Sequence, residues 1–185
     1  MSYQATWFLI PAPAAAVERH GPRLRALLDA HAAEPGNRAL RRRWEAGEHL
    51  APDELEGLVA GPLGADPDGL YAAWEECGRA GPCAAVPARS RYPVLGLAHG
   101  LGPRRTAGLP GWFGDVVLTP EEVRASLPAV EAVFALDTAE RRAAEDRARE
   151  ALRTDDLAGL FDAAVPVWRA AAGAGHGLIG AQLVP

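Results

Sequence analysis

Two short apolar segments stand at opposite ends of this chain of 185 residues. The first runs from Ala5 to Ile10 and is ended by Pro11 and Pro13, a pattern typical of a short strand. The second runs from Gly177 to Val184 and has the same apolar character. Helical patterns fill the chain between them. We therefore expect a mostly helical α+β fold in which the N- and C-terminal strands form a small sheet.

Helix-start signals recur between the two strands. The sharpest is Leu118-Thr-Pro-Glu-Glu-Val123. Thr119 can cap the first turn, Pro120 suits the first helical position, and Glu122 completes a capping box. Similar combinations of proline, glycine and acidic residues mark the other helices. They are predicted to start at Pro22, near Arg38, at Pro52, after Asp66, at Thr138 and at Thr154 or Asp155.

Length and composition favour a single globular domain over residues 1–185. Apolar residues make up 49% of the chain and charged residues 23%, which is ordinary for a domain that buries its own core. The formal net charge of −5 argues against general nucleic-acid binding, which needs positive charge to displace phosphate counterions. We therefore expect a protein partner or a small molecule, and neither nucleic acid nor a membrane.

The chain has no lysine, since all 19 of its basic residues are arginine. This excludes chemistry that depends on a lysine side chain, such as a Schiff base or the phosphate contact of a P-loop. The first residues lack the positive region of a secretion signal, and no apolar run approaches the length of a membrane span. We expect a cytoplasmic protein with reduced thiols.

Two cysteines and five histidines supply the candidate metal ligands and nucleophiles. The histidines are scattered and no His-x-x-x-His or Cys-x-x-Cys pair is present, so we expect no metal and no cofactor. Cys77 falls on an apolar helical stripe, where a cysteine usually serves as a small buried side chain. Cys83 lies in a predicted loop and is the better nucleophile candidate, with His99 as its activating base.

The longest segment without a regular pattern lies between Gly78 and Asp115. A loop of this length in a compact domain is commonly functional, so we place the candidate site in its glycine- and proline-rich part, residues 93–114. Its imidazole, guanidinium and aromatic groups can exchange protons, clamp anions and anchor a partner. The candidate binding residues are His99, Arg104, Arg105, Trp112 and Phe113.

Three patterns have more than one interpretation. Trp112 either anchors the loop to the core or contacts a ligand or partner. The run Gly96-Leu-Ala-His-Gly-Leu-Gly102 looks like a phosphate-binding loop, but it lacks the preceding strand and the directly following helix. Arg41-Arg42-Arg43 beside Trp44 is either a solvated helix face with a core tryptophan or a nucleic-acid patch, and the acidic chain favours the former.

The order of these features resembles the YfbM-like family, a group of small bacterial domains of unknown function. The shared features are the apolar strand after Met1, a tryptophan helix at Trp44, a glycine-rich middle and the Leu118–Val123 helix start. A C-terminal helix with Trp168 and the strand from Gly177 to Val184 complete the resemblance. It implies a mostly helical α+β fold without an established catalytic role.

Two hypotheses of function remain. The first is a non-enzymatic binding or accessory module, such as an immunity-like protein, that contacts a protein partner through residues 93–114. The alternative is a cofactor-independent enzyme or small-molecule-binding protein of a bacterial specialised pathway. In that alternative His99 is the acid or base and Arg104 or Arg105 clamps an anion.

The alternative also needs a carboxylate that orients the histidine. Glu75 or Glu76 is the candidate, because the helix that carries them ends just before the loop. A concave pocket that holds His99 within hydrogen-bonding distance of a carboxylate would favour the enzyme. A flat or solvent-exposed loop would favour the binding module.

Overall fold

A computed structural model describes residues 4–78, 80–157 and 159–184 of the chain. In these residues four strands form one antiparallel sheet in the order β2-β1-β4-β3. The strands are β1 (Gln4–Ala12), β2 (Ala84–Arg89), β3 (Val116–Leu118) and β4 (Gly177–Leu183). The α-helices are α1 (Ala14–Ala33), α2 (Pro35–Glu45), α3 (Pro52–Val59), α4 (Pro67–Cys77), α5 (Pro93–Thr106), α6 (Pro120–Phe134), α7 (Thr138–Leu152) and α8 (Ala164–Ala174), and Pro62–Ala65 forms a short 3₁₀ helix.

The two terminal strands form the centre of the sheet. β1 and β4 pair antiparallel, from Thr6 opposite Leu183 to Ala12 opposite Gly177. This confirms the predicted α+β fold with a small sheet of N- and C-terminal strands. Two internal strands extend it, β2 beside β1 and β3 beside β4. None of the helices in the described residues is long and apolar enough to cross a membrane.

β1 explains why its sequence reads as one apolar run. Trp7 and Leu9 enter the hydrophobic cluster on one face of the sheet, and Phe8 and Ile10 enter the cluster on the other face. Successive side chains of a strand point to opposite faces, so a strand covered on both faces needs apolar residues at every position. α1 and α4 cover one face, and most of the remaining helices pack on the other.

The prediction of one long loop between Gly78 and Asp115 was wrong. This stretch contains β2 and the helix α5, and a short connection then leads to β3. Most of the predicted 93–114 loop is therefore helical, apart from a kink at Gly102, where φ is 74° and ψ is 170°, and the irregular backbone of residues 107–114.

Glycines that look like loop residues in α5 are packing residues. A Cβ at Gly96 would lie 2.5 Å from the side chain of Leu152, and a Cβ at Gly100 would lie 2.5 Å from Phe161. The spacing of four puts both glycines on one helical face, which lets α7 approach closely. Gly96 and Gly100 are thus packing residues on a helix, and the run Gly96–Gly102 is not a phosphate-binding loop.

Two predicted helix starts are also corrected. α1 continues through Pro22, because Gly21 and its neighbours are held against β3 and the missing hydrogen bond is tolerated. The last helix begins at Ala164 and not at Thr154 or Asp155. Pro166 then lies in the first turn, where a proline has no intrahelical bond to lose.

The predicted capping chemistry of α6 and α4 is confirmed. The backbone N–H of Glu122 donates to Thr119 Oγ1 at 3.2 Å, and the N–H of Thr119 donates to the Glu122 carboxylate at 2.7 Å. Asp66 caps α4 by accepting from the N–H of Gly69 at 3.1 Å. These starts could be predicted because every group involved lies within three residues of the others in sequence.

Candidate functional site

An aromatic cleft lies between α2 and the connection that follows α5. It is a shallow notch of about 30 Å³, far smaller than a small-molecule pocket. Trp44 forms the buried floor, while Leu109 and Phe113 are half-buried walls. A partner side chain can therefore contact the rim of the cleft but cannot be enclosed by it. Its lining residues are Arg41, Trp44, Glu45, Thr106, Ala107, Leu109, Gly111 and Phe113.

One wall of the cleft is a tight turn with an unusual residue. Trp112 and Asp115 exchange two backbone hydrogen bonds of 2.8 and 3.0 Å. The two residues between them, Phe113 and Gly114, have φ of 45° and 91°. Two positive φ values define a type I′ turn, which prefers Asn-Gly or Gly-Gly. A phenylalanine at the first central position costs roughly 1–2 kcal/mol of backbone strain.

Trp112 anchors this turn to the core. Its indole nitrogen donates a 2.7 Å hydrogen bond to the carbonyl of Leu58, and the side chain is only 2% exposed. The Arg41 guanidinium lies over the indole, with its carbon 4.8 Å from the ring centroid, and His31 packs edge-on at 5.1 Å. Trp112 therefore shapes the cleft from behind, and its own surface is closed to a ligand.

Trp44 holds the opposite side. Its indole nitrogen donates to Thr106 Oγ1 at 2.9 Å, and that hydroxyl donates to the carbonyl of Gly102 at 2.9 Å. The hydroxyl thus satisfies the buried N–H of the indole and ties α2 to the end of α5. Phe113 faces Trp44 with ring centroids 6.5 Å apart. The tryptophan beside the arginine triplet is therefore a core residue, as the solvated-face interpretation predicts.

The structure separates the two predicted anion-binding arginines. Arg105 donates to three carbonyls at the end of α6, including that of Val133 at 3.2 Å, and to Glu140 at 2.7 Å. It is a C-terminal cap of α6, and these bonds occupy its donors. Arg104 is exposed on the last turn of α5. The two side chains do not form one clamp.

His99 lies inside the molecule on α5, at 7% exposure. Burial, and next the nearby His49, lower its pKa, so the ring is neutral at physiological pH. The His49 ring packs edge-on against it, with centroids 5.2 Å apart. Nε2 of His99 is buried and has no hydrogen-bond partner among the described residues. Glu76 does not orient this ring, because it binds Arg19 at 2.8 Å and His20 at 2.9 Å.

A buried carboxyl that the sequence analysis missed fixes the position of the turn. Asp115 is fully buried and accepts the backbone N–H groups of Leu63 and Gln182, each at 3.1 Å. Gln182 in turn donates to the carbonyl of Val59 at 2.8 Å. Burial raises the pKa of Asp115 to about 8, although the two N–H donors oppose the shift. No local signal separates this residue from a surface aspartate before a strand.

The arginines of α2 divide into paired and unpaired residues. Arg41 binds Glu45 at 2.7 Å, and Arg43 binds Glu54 at 3.0 Å. Arg38 and Arg42 are exposed, and neither has an ion-pair or hydrogen-bond partner among the residues that the structure describes. A localised positive patch therefore flanks the cleft in a chain that is acidic overall.

Both cysteines are free thiols in different surroundings. Cys77 is buried on α4, and burial raises its pKa to about 11. Cys83 is exposed just before β2. In the described residues no group of three or more His, Cys, Asp or Glu side chains is arranged to hold a metal ion. Cys83 lies outside the cleft, so it does not contribute to this site.

Comparisons of the chain with protein-family models, with curated proteins and with solved structures found no match. The resemblance to the YfbM-like family therefore stays a prediction. The features that bear on function are the cleft, its aromatic walls and the arginines beside it.

Proposed function

We propose that this chain is a binding module that recognises a protein partner through the aromatic cleft. One apolar side chain of the partner packs on the exposed edges of Phe113 and Leu109, at the mouth of the notch in front of Trp44. The module acts in the cytoplasm, in keeping with its two free thiols. The cleft replaces the 93–114 loop as the contact surface, since most of that segment is α5.

The conformation of Phe113 is the observation that carries this proposal. Asparagine or glycine would fit the positive φ of 45° without strain, yet the position holds a large aromatic side chain that is half-exposed beside a cleft. Residues in strained backbone conformations cluster at binding and active sites. Aromatic residues beside an apolar notch are also the usual anchors of protein interfaces.

The polar residues predicted to act on a substrate lie in different parts of the fold, which favours a binding role over catalysis. His99 is buried outside the lining of the cleft, and no described carboxylate is hydrogen-bonded to its ring. Arg105 is occupied by the carbonyls of α6. An acid or base and an anion clamp would have to converge on one bound substrate.

A peptide-display selection tests the proposal. A library of short random peptides is selected against the immobilised protein and, in parallel, against the Phe113→Asn variant. Asparagine keeps the turn and removes the aromatic wall. Arg142→Gln is the matched control, because Arg142 is exposed on α7 with no described partner.

We expect wild type and the control to enrich the same peptides, each with one large apolar side chain. The Phe113→Asn variant should bind these peptides at least about ten-fold more weakly, as a lost anchor of 1.4 kcal/mol or more implies. Equal binding by the Phe113→Asn variant, or no enrichment at all, would refute a binding role for the cleft.

A further inference from the structure

Arg38 and Arg42 belong to the same helical stripe as the cleft. Residues 38, 41, 42 and 45 have the spacing i, i+3, i+4, i+7, which places them on one face of a helix. Arg41 and Glu45 line the cleft, so the two unpaired arginines border it on α2. They add two unpaired positive charges to the helix face that carries Arg41 and Glu45.

The lack of partners is shared with other exposed arginines such as Arg142, but Arg38 and Arg42 lie on the face of α2 that carries cleft residues. Arg19 and Arg169 are about as accessible as surface arginines become, with side chains 65% and 64% exposed, yet each binds a glutamate. Arg41 within the stripe is already neutralised by Glu45 and lies over Trp112. The positive charge available to a partner at the cleft therefore comes from Arg38 and Arg42.

We propose that the partner segment held by the cleft is acidic. Its carboxylates pair with Arg38 and Arg42 while its apolar side chain packs on the exposed edge of Phe113, and this inference rests on the proposed function. Arg suits this task because its planar guanidinium binds a carboxylate through two parallel hydrogen bonds. The spacing of one helical turn between the two arginines fits two acidic residues near one apolar residue.

A protein segment suits this surface better than nucleic acid does. Binding along a phosphate backbone requires many cationic contacts, whereas the rim offers two unpaired arginines in a chain of net charge −5. The two tryptophans at the cleft are each only 2% exposed, so they offer no open platform on which successive bases could stack.

Comparison of the selected peptides tests the inference. The same library is selected against the double variant Arg38→Gln/Arg42→Gln and against the matched double variant Arg89→Gln/Arg142→Gln. All four arginines are exposed and lack described partners, so both variants lose the same charge at little cost to folding. Fluorescence anisotropy then measures the binding of one selected peptide, of its Gln/Asn analogue and of single-stranded oligothymidylate.

The expected result is enrichment of two or more Asp or Glu residues near the apolar anchor for wild type and for the matched variant. Loss of Arg38 and Arg42 should weaken the binding of the acidic peptide roughly five- to thirty-fold and leave the binding of its Gln/Asn analogue unchanged. High salt should reduce this difference.

Each other outcome overturns a defined part of the account. Apolar peptides without acidic residues, or equal losses in both double variants, overturn the acidic partner and leave the cleft as a binding site. Oligothymidylate binding that depends on Arg38 and Arg42, without acidic preference among peptides, assigns the rim to nucleic acid. Peptides whose binding ignores Phe113→Asn overturn the proposed function as well.

Discussion

The guanidinium of Arg41 lies over the indole of Trp112, with its carbon 4.8 Å from the ring centroid. This contact joins α2 to the strained turn and fixes the width of the cleft between them. A cation over a tryptophan face is worth about 0.5–2 kcal/mol, depending on how far the pair is desolvated. α2 and the turn therefore behave as one unit, and changes on either side should be felt in the cleft.

The strain at Phe113 predicts an order of stability among variants. Phe113→Asn and Phe113→Ala both lose the packing of a half-buried ring, but only asparagine tolerates the positive φ. The asparagine variant should exceed the alanine variant in free energy of unfolding by about 0.5–1 kcal/mol. Urea denaturation followed by circular dichroism measures the difference. Equal stabilities would show that the turn is not strained.

The close packing of α5 on α7 predicts a large cost at Gly100. A Cβ there would lie 2.5 Å from Phe161 and 2.8 Å from the carbonyl oxygen of Ala144, so Gly100→Ala should destabilise the fold by about 1–3 kcal/mol. Gly173→Ala on α8 is the control. The Cβ of this alanine would have no neighbour within 4 Å, so the free energy of unfolding should rise by about 0.5–1 kcal/mol. Thermal unfolding of both variants checks the pair, and a neutral Gly100→Ala contradicts the packing.

The buried carboxyl of Asp115 predicts a pH-dependent stability. Its folded pKa of about 8 lies above the ordinary value of 3.8, so the folded state holds a proton that the unfolded state releases. Stability from this group is present at low pH and falls as pH rises between about pH 4 and pH 8, by up to about 1.4 kcal/mol per pH unit. The lowered pKa of His99 acts in the opposite direction.

Comparison with Asp115→Asn isolates the carboxyl, because His99 and all other titrating groups are common to both proteins. The amide nitrogen of asparagine cannot accept a hydrogen bond from the backbone N–H of Leu63 or Gln182. The free energy of unfolding of the variant should therefore be lower by about 1–3 kcal/mol. The advantage of wild type should shrink between about pH 5 and pH 8. Denaturant titrations across this range measure it. An advantage that stays constant, or grows with pH, would show that the carboxyl is ionised in the folded protein.

The two cysteines should react with alkylating reagents very differently. Cys83 is exposed, whereas Cys77 is buried with its pKa raised to about 11, so its thiolate is scarce near neutral pH. Mass spectrometry after iodoacetamide treatment of the native protein should find modification at Cys83 alone. Guanidinium chloride should expose Cys77. Cys83→Ser is the control, and rapid native modification of that variant would contradict the packing of α4.

Local chemistry explains which parts of the fold could be predicted. The capping box of Thr119 and Glu122 and the apolar run of β1 are complete within a few residues, so they could be recognised in sequence. The role of Gly100 could not, because its meaning depends on Phe161 and Ala144, which are distant in sequence. The closely spaced glycines of α5 therefore led to the prediction of a loop.

The candidate site was predicted in part for the same reason. Phe113 lines the cleft and Trp112 supports it from behind, whereas His99 and Arg105 serve packing and helix capping. Guanidinium and imidazole groups have the same chemistry in both roles, and only tertiary partners distinguish them. Asp115 was missed because its burial results from the approach of β4 and the 3₁₀ helix.

The indole N–H signals of the five tryptophans give the most direct test of the binding cleft. Proton–nitrogen correlation spectra, assigned with single Trp→Phe variants, are recorded while a selected acidic peptide is added. We expect the signals of Trp44 and Trp112 to shift, because these indoles form the floor and back of the cleft. The signals of Trp74 and Trp168, on α4 and α8, should stay in place. Shifts at Trp74 or Trp168 with Trp44 and Trp112 unmoved would place the binding surface elsewhere and contradict the account.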